Sequence, residues 1–294
     1  MITLAQIKSF VFWEDSMSIF LVVSSIHIIF MIISSFISIV VPIVLALVLF
    51  KKKKQKMSTF LIGALTFIVF ALFLEAYLNN WMLSSSGPFG LTIIQNTWLY
   101  ALYAGLAAGI FEETGRFVAF KYALKKENNP DTSLMAGVGH GGIEAMILVG
   151  LQLGMIAYYA LQFNSNPSQS MLTPDIVTIL DEISVTPSIQ LLIAGIERMF
   201  ALTLHISFSV LVFAGVRIKG KAYLIGIAVL LHFLVDFSAV VLMGFSNVFV
   251  SEAVVLIITL GTAFLAYKVY KNMVEKRKSE EEIPIQPFVL KEEQ

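Results

Sequence analysis

Three charged residues interrupt one of the apolar stretches of the sequence, in the segment GIFEETGRFVAF at positions 109–120. Glu112 lies four residues before Arg116 and Glu113 lies three before it, so on a helix the three side chains share one face. A carboxylate in such a place can act as a general base that activates water, and an arginine can position it. A purely structural ion pair that joins two helices is the alternative interpretation.

Three further apolar stretches each carry a histidine, and in two of them an acid follows one helical turn later. His140 and Glu144 are four apart in GVGHGGIEA, and His232 and Asp236 are four apart in HFLVDF. His205 lies in a third stretch, which also holds an adjacent glutamate–arginine pair. Ionisable residues inside membrane spans are rare and usually face the interior of the bundle. The pattern therefore predicts one shared polar cluster.

The chemistry that this set could support is hydrolysis of a peptide bond without a serine or cysteine nucleophile. Glu112 would act as the general base on a water molecule. His140, His205 or His232 would orient the water or stabilise the oxyanion. Asp236 would support His232 in orienting the water or stabilising the oxyanion. No metal or other cofactor is needed for this version, which is the preferred interpretation.

A zinc site is the close alternative, because three histidines and a carboxylate are ordinary zinc ligands. In that version His140, His205 and His232 hold the metal. The sequence has no HExxH motif, and spacing alone does not certify ligands from three helices. A proton-coupled transporter or a non-catalytic scaffold could use the same buried groups. The absence of an inverted repeat argues against the transporter.

The composition determines the kind of element that must position these residues. Hydrophobic residues make up 57% of the 294 residues and charged residues only 14%, with a mean hydropathy of +0.84. Soluble domains average about 25% charged residues, so the sequence predicts an integral, multi-pass membrane protein with the lipid bilayer as its surroundings. The net charge of zero argues against nucleic acid as a partner, and the lack of cysteine excludes disulfides and thiolate metal sites.

About 20 largely apolar residues are needed to cross a bilayer as a helix, and about seven stretches meet this requirement. We therefore predict an all-α, polytopic helical bundle. The predicted spans are Met17–Phe50, Met57–Leu78, Asn96–Leu124, Leu134–Phe163, Ser188–Val216, Ala222–Met243 and Val248–Tyr270.

Lysines and arginines cluster after the first, third, fifth and seventh spans, and the only others are Lys8, Arg116 and Arg198. The positive-inside rule then places the N-terminus outside and the C-terminus in the cytoplasm. Residues 1–271 form a single membrane-embedded domain in this interpretation. Residues 272–294 form a charged cytoplasmic tail that we expect to be disordered.

The motifs EETGR, GHGGIEA, ERMFALTLHISFSVLVF and HFLVDF, in this order on successive spans, resemble the YhfC family of bacterial membrane proteins. That family is related to the CAAX-processing and bacteriocin-processing membrane proteases and, more distantly, to PrsW. The resemblance covers about residues 30–250. It implies an intramembrane endopeptidase with a cytoplasm-facing cavity, acting on membrane proteins or peptides.

The resemblance also implies roles for particular residues. The paired glutamates and arginine of the wider clan match Glu112, Glu113 and Arg116, and the first of the glutamates is the one taken to activate water. The clan's next histidine matches His140 or His205. Its last motif, HxxxN or HxxxD, matches His232 and Asp236. The arginine follows the glutamates by one residue fewer than in the clan's EExxxR pattern. Glu144, in the motif GHGGIEA, is a glutamate that the clan's pattern does not require.

Overall fold

The computed structural model describes residues 22–87, 89–166, 173–245 and 247–281, and in these residues every regular element is helical. Helices are the expected solution for long apolar runs, because in lipid each backbone polar group must be satisfied within its own segment. In chain order the helices are α1 (Ser25–Lys52), α2 (Met57–Met82), α3 (Gly90–Ile94), α4 (Thr97–Val118), α5 (Asp131–Ser165), α6 (Pro174–Val185), α7 (Ser188–Arg217), α8 (Tyr223–Phe245) and α9 (Val248–Glu281).

Seven of these helices coincide with the predicted spans, so the all-α, polytopic architecture is confirmed. Within the described ranges, six are long and apolar enough to cross a membrane. The seventh, α4, is not among the six; its sequence includes the charged residues Glu112, Glu113 and Arg116. It packs along α8 and against the middle of α2 inside the bundle.

Three π-helical segments interrupt or extend the long helices. They lie at Phe67–Glu75 within α2, at Ala119–Ala123 directly after α4, and at Met146–Leu151 within α5. A π-helical turn shifts the face that the following residues present, and such turns are frequent at functional sites. All three lie on helices that carry residues of the polar cluster or contact it.

Two short helices occupy segments that the sequence predicts to be loops. Helix α3 precedes α4, and α6 precedes α7 and begins with Pro174, whose fixed φ suits the first turn of a helix. Leu180 and Ile183 of α6 are buried in a hydrophobic cluster that also contains residues of α5. Both helices are too short to cross a bilayer, so a search for spans by apolar length does not reveal them.

The last helix extends beyond the predicted end of the membrane domain. Helix α9 continues through residues 272–281, which the sequence assigns to the tail. The remainder of that tail, residues 282–294, lies outside the described residues, as do residues 1–21 with Lys8 and the start of the first predicted span.

The helices alternate in direction, so the bundle has two distinct faces. The basic face carries the connections at 51–56 and 217–221, and there Lys56 pairs with Glu127 at 2.6 Å. The acidic face carries α3 and α6, with Asp175 and Asp181 on α6. The charge rule predicts the basic face to be cytoplasmic.

Candidate active site

The structure brings all eight predicted site residues into one layer of the bundle. Each of them is buried, with between 0 and 8% of its surface exposed, and they come from α4, α5, α7 and α8. The eight are Glu112, Glu113, Arg116, His140, Glu144, His205, His232 and Asp236. Counted at 1.5 Å per residue, Glu112, His205 and His232 lie roughly 14 to 18 Å from the basic residues that flank their helices, and His140 lies at a shallower depth.

Glycines allow these helices to approach closely enough for their side chains to meet. A Cβ atom at Gly141 of α5 would lie 2.8 Å from the Cβ of His205 on α7. One at Gly109 of α4 would lie 2.9 Å from the carbonyl oxygen of Val229 on α8. Since atoms do not pack at these separations, larger residues would push α5 away from α7 and α4 away from α8.

Glu112 is the carboxylate on which the imidazoles converge. Its Oε2 atom lies 2.9 Å from Nε2 of His140, 3.8 Å from Nδ1 of His205 and 4.0 Å from Nε2 of His232. The nearest nitrogen of Arg116 is 3.6 Å from the same oxygen, so the arginine lies close without a tight hydrogen bond. Glu112 is thus buried, faced by three histidines and more loosely paired with Arg116 than Glu113 is.

Glu113, the adjacent carboxylate, is held much more tightly. Its Oε1 atom accepts a hydrogen bond from Arg116 at 2.5 Å and lies 2.8 Å from Nδ1 of His232. Two charged or polar donors on one oxygen make Glu113 a fixed partner of the arginine. The two neighbouring glutamates therefore differ in how tightly their side chains are held, although the sequence does not distinguish them.

His140 is held by a residue that the sequence did not indicate, Thr66 on α2. The Thr66 hydroxyl donates to the carbonyl oxygen of Gly63 at 2.6 Å and lies 2.7 Å from Nδ1 of His140. A hydroxyl has one proton to donate, so it accepts from Nδ1–H of the imidazole. Nε2 lies 2.9 Å from Oε2 of Glu112, so the two atoms share one proton in this contact. Because the contact joins two helices, no sequence pattern could have revealed it.

His205 lies between the two acid–arginine pairs. Its Nδ1 atom accepts a hydrogen bond from Arg116 at 2.5 Å, because a guanidinium can only donate. Its Nε2 atom lies 2.5 Å from Oε2 of Glu144. The other carboxylate oxygen of Glu144 accepts from Arg198 at 2.9 Å, and Arg198 in turn binds Glu197 at 2.5 Å.

His232 completes the layer on α8. Besides its contact with Glu113, its Nε2 atom lies 3.5 Å from Oδ2 of Asp236, one turn further along the helix. The ring of Phe208 stacks on the imidazole with a centroid separation of 4.9 Å and an angle of 14° between the planes. His232 therefore has carboxylates on both edges and an aromatic ring on one face.

The donor atoms suit a metal ion, but not with the three histidines expected from the sequence. Among the described residues, Glu112, His140, Glu144 and His205 each offer a ligand atom, and these atoms lie within 4.8 Å of one another. His232 is not in this set. Both ring nitrogens of His140 and of His205 already have partners in the structure, so a metal would replace one contact of each imidazole.

The charges of the layer also leave room for a cation. The buried carboxylates of Glu112, Glu113, Glu144 and Asp236 face two buried arginines among the described residues, Arg116 and Arg198. With neutral imidazoles and ionised carboxylates, this buried set carries two excess negative charges. Buried charges are costly when they are not compensated, so either a protonated imidazole or a metal cation would stabilise the arrangement.

The fold and this layer define an integral, multi-pass membrane protein with a buried carboxylate–imidazole site. The chain belongs to the YhfC family: the family model described as YhfC intramembrane metalloprotease matches residues 37–258. It is also 32% identical, over 223 residues, to the "Uncharacterized membrane protein YhfC" of Bacillus subtilis (strain 168). The aligned region covers 74% of this chain and 86% of that protein. No solved structure gives a significant match.

Proposed function

We propose that this protein is an intramembrane endopeptidase that hydrolyses peptide bonds of membrane proteins or membrane-associated peptides. The observation that carries the proposal is the convergence of three imidazoles within 4.0 Å of one oxygen of the buried Glu112 carboxylate. The family description, intramembrane metalloprotease, supports the same class of reaction. The relation to CAAX-processing proteases, bacteriocin-processing proteases and PrsW that the motifs imply is part of this proposal.

Glu112 is the general base. Its Oε2 atom takes a proton from a water molecule as the water oxygen forms a bond to the scissile carbonyl carbon. The carbonyl oxygen then bears negative charge, which a protonated His232 stabilises by donating a hydrogen bond from Nε2. His205 does not serve here, because Arg116 and Glu144 engage both of its nitrogens. The proton held by Glu112 passes to the leaving nitrogen as the carbon–nitrogen bond breaks, and the carboxylate is restored.

Arg116, Glu113 and Asp236 act as positioning residues in this scheme. Arg116 bridges Glu113 and His205, so it fixes the distance between α4 and α7. Glu113 and Asp236 hold the two edges of His232. In this proposal Glu112 and Glu113 have different tasks, and the tighter hydrogen bonds of Glu113 support the choice of Glu112 as the base.

The four-residue donor set favours a metal-assisted form of the same hydrolysis. His140, Glu144 and His205 would hold a zinc ion, leaving Glu112 as the base, because catalytic zinc sites keep one position open. Zinc would supply Lewis-acid polarisation of the carbonyl group. The metal-free form uses the same base and the same imidazoles. A measurement of the zinc content of the purified protein distinguishes the metal-assisted form from the metal-free form.

The test compares membranes from cells that express the wild-type chain and the Glu112→Gln variant. Labelling of newly formed N-termini should reveal cleavage products from membrane proteins with the wild-type chain. We expect these products to fall by about 10²–10⁴-fold with Glu112→Gln, the range that general base catalysis supplies. The Glu75→Gln variant, which makes the same change at a half-buried glutamate of α2, is the matched control.

Products that persist at wild-type levels with Glu112→Gln, in a variant that is expressed and inserted normally, would rule Glu112 out as the base. An absence of any product that depends on the wild-type chain would count against the peptidase. Proton-dependent uptake by proteoliposomes in that case would favour the transporter.

A further inference from the structure

A crevice of about 40 Å³ lies beside the candidate active site, between α7, α8 and α9. His205 and His232 form one end of it. A water molecule needs roughly 10–15 Å³ of such volume and two or more polar partners. The crevice is therefore large enough for a few waters, and it borders two of the imidazoles that face Glu112.

From the site, the crevice runs toward the acidic face. On α7 it is lined by Glu197, Arg198 and Ala201, which lie between His205 and the Ser188 end of the helix. On α8 its lining continues from His232 through Asp236 to Ala239, toward the Phe245 end. On α9 it is lined by Val255, near the helix start. All three of these helix ends are at the acidic face.

Toward the basic face the same helices are closed by a continuous apolar core. Phe208 stacks on His232 and is followed by Leu211 and Phe213, each no more than 1% exposed. Phe120 at the end of α4 packs edge-on against Phe213. At the surface, Arg217 binds the carbonyl oxygens that end this segment, including that of Phe120 at 2.9 Å. Buried polar side chains also occur in the basic half of the bundle, at Gln55, Thr59, Thr132, Ser133 and Ser209, but none of them lines the crevice.

Arg198 supplies a polar group with no protein partner in the crevice. The residue is only 2% exposed, and its two terminal nitrogens bind Glu144 and Glu197. Its Nε–H group, however, has no acceptor among the described residues. A buried donor without a partner is costly, so this group is suited to bind an oxygen atom that occupies the crevice.

We propose that the crevice is the binding site and access route for the hydrolytic water, that it opens to the acidic face, and that Arg198 Nε–H holds a water molecule there. This inference rests on the proposed function and deepens it. A substrate reaches the water from the same side, so its scissile bond lies in a segment accessible from the acidic face. With the orientation that the charge rule predicts, this route is opposite to the cytoplasm-facing cavity that the family resemblance implies.

Labelling of single cysteines tests the route, because the native chain has no cysteine. Ala201→Cys and Ala239→Cys place a thiol in the crevice, and Ala214→Cys places one in the closed apolar core of the same α7 helix. Thr178→Cys marks the acidic face and Lys219→Cys marks the basic face, since both residues are exposed. The probe is a membrane-impermeant, cationic methanethiosulfonate, added to vesicles of either orientation.

We expect both crevice thiols to react only in the vesicle orientation in which the Thr178→Cys marker reacts. The Ala214→Cys thiol should remain unlabelled in both orientations. Adding Ala239→Leu to the Ala201→Cys variant should fill the crevice and slow labelling of the Ala201→Cys thiol at least about tenfold, because removing the aqueous volume removes access.

Labelling of the crevice thiols together with the Lys219→Cys marker would overturn the proposal, and so would no labelling while the Thr178→Cys marker reacts. The readout does not depend on proteolysis. If the crevice labels as expected but Glu112→Gln leaves cleavage unchanged, the proposed base is wrong and the water route stands.

Discussion

Two buried acid–arginine clusters lie in the bundle, and their sequences look alike. The first consists of Glu112, Glu113 and Arg116 on α4, and the second of Glu197 and Arg198 on α7. Both arginines are 2% exposed and each binds a glutamate of its own helix at 2.5 Å. Without the fold, either cluster could be a link between helices or part of a reactive site.

The groups that face the two clusters make the difference. The first is enclosed, and imidazoles from α5, α7 and α8 lie within 4.0 Å of Glu112. The second reaches the imidazole layer only through Glu144, and the side chain of Glu197 is 19% exposed. An acid–arginine pair in a membrane helix thus becomes a candidate for chemistry when other helices turn histidines toward the same carboxylate.

The largest effect is expected from removing the arginine of the first cluster. Arg116→Leu leaves Glu113 buried without its main partner and removes the donor to His205. Breaking a buried pair on one side costs about 3–5 kcal/mol. We expect the free energy of unfolding in detergent micelles to fall by this amount, as measured by denaturant titration.

Arg198→Leu is the matched variant in the second cluster. Its effect should be smaller, because Glu144 keeps its contact with His205 and Glu197 lies at the hydrated crevice. An equal loss in both variants would mean that enclosure does not distinguish the clusters.

A smaller effect is expected from Thr66, which fixes the imidazole nearest to Glu112. Thr66→Val removes the hydroxyl that accepts from Nδ1 of His140 and keeps the shape of the side chain. Groups that orient a metal-binding histidine typically contribute 10–100-fold to metal affinity. We expect zinc affinity, measured by competition with a chelator on the purified protein, to fall by about that factor.

Thr66→Ser retains the hydroxyl and should restore most of the zinc affinity. Unchanged affinity in Thr66→Val would show that the threonine does not orient His140 toward a metal. A wild-type chain that binds no zinc at all would instead exclude the metal-assisted form.

Much of the fold follows from simple physical patterns in the sequence. Apolar length predicts the seven long helices, because a membrane allows few other structures. Helical spacing predicts that Glu112, His205 and His232 lie at similar depths in one layer, with His140 shallower, since each can be counted along its helix from the basic side. Both kinds of inference depend only on local periodicity.

Contacts between helices are what the sequence could not supply. The group of potential metal ligands contains Glu144 and not His232. This depends on how α5 and α7 cross, and their crossing depends on the close packing of Gly141 against His205. The role of Thr66 depends on the crossing of α2 and α5. The difference between Glu112 and Glu113 arises because Arg116 and His232 hydrogen-bond to Glu113 but approach Glu112 only to 3.6 and 4.0 Å.

The smallest effect is expected from the acid of the second cluster. Glu197 contacts Arg198 from the rim of the crevice and is partly exposed, and such ion pairs contribute about 0–1 kcal/mol. We expect Glu197→Gln to lower the free energy of unfolding by no more than about 1 kcal/mol. Cleavage products, counted by labelling of N-termini, should stay within about threefold of wild type, since Arg198 keeps Glu144 as its partner. A loss comparable to that of Glu112→Gln would instead place the second cluster within the catalytic machinery, because the loss of a rim ion pair alone cannot account for it.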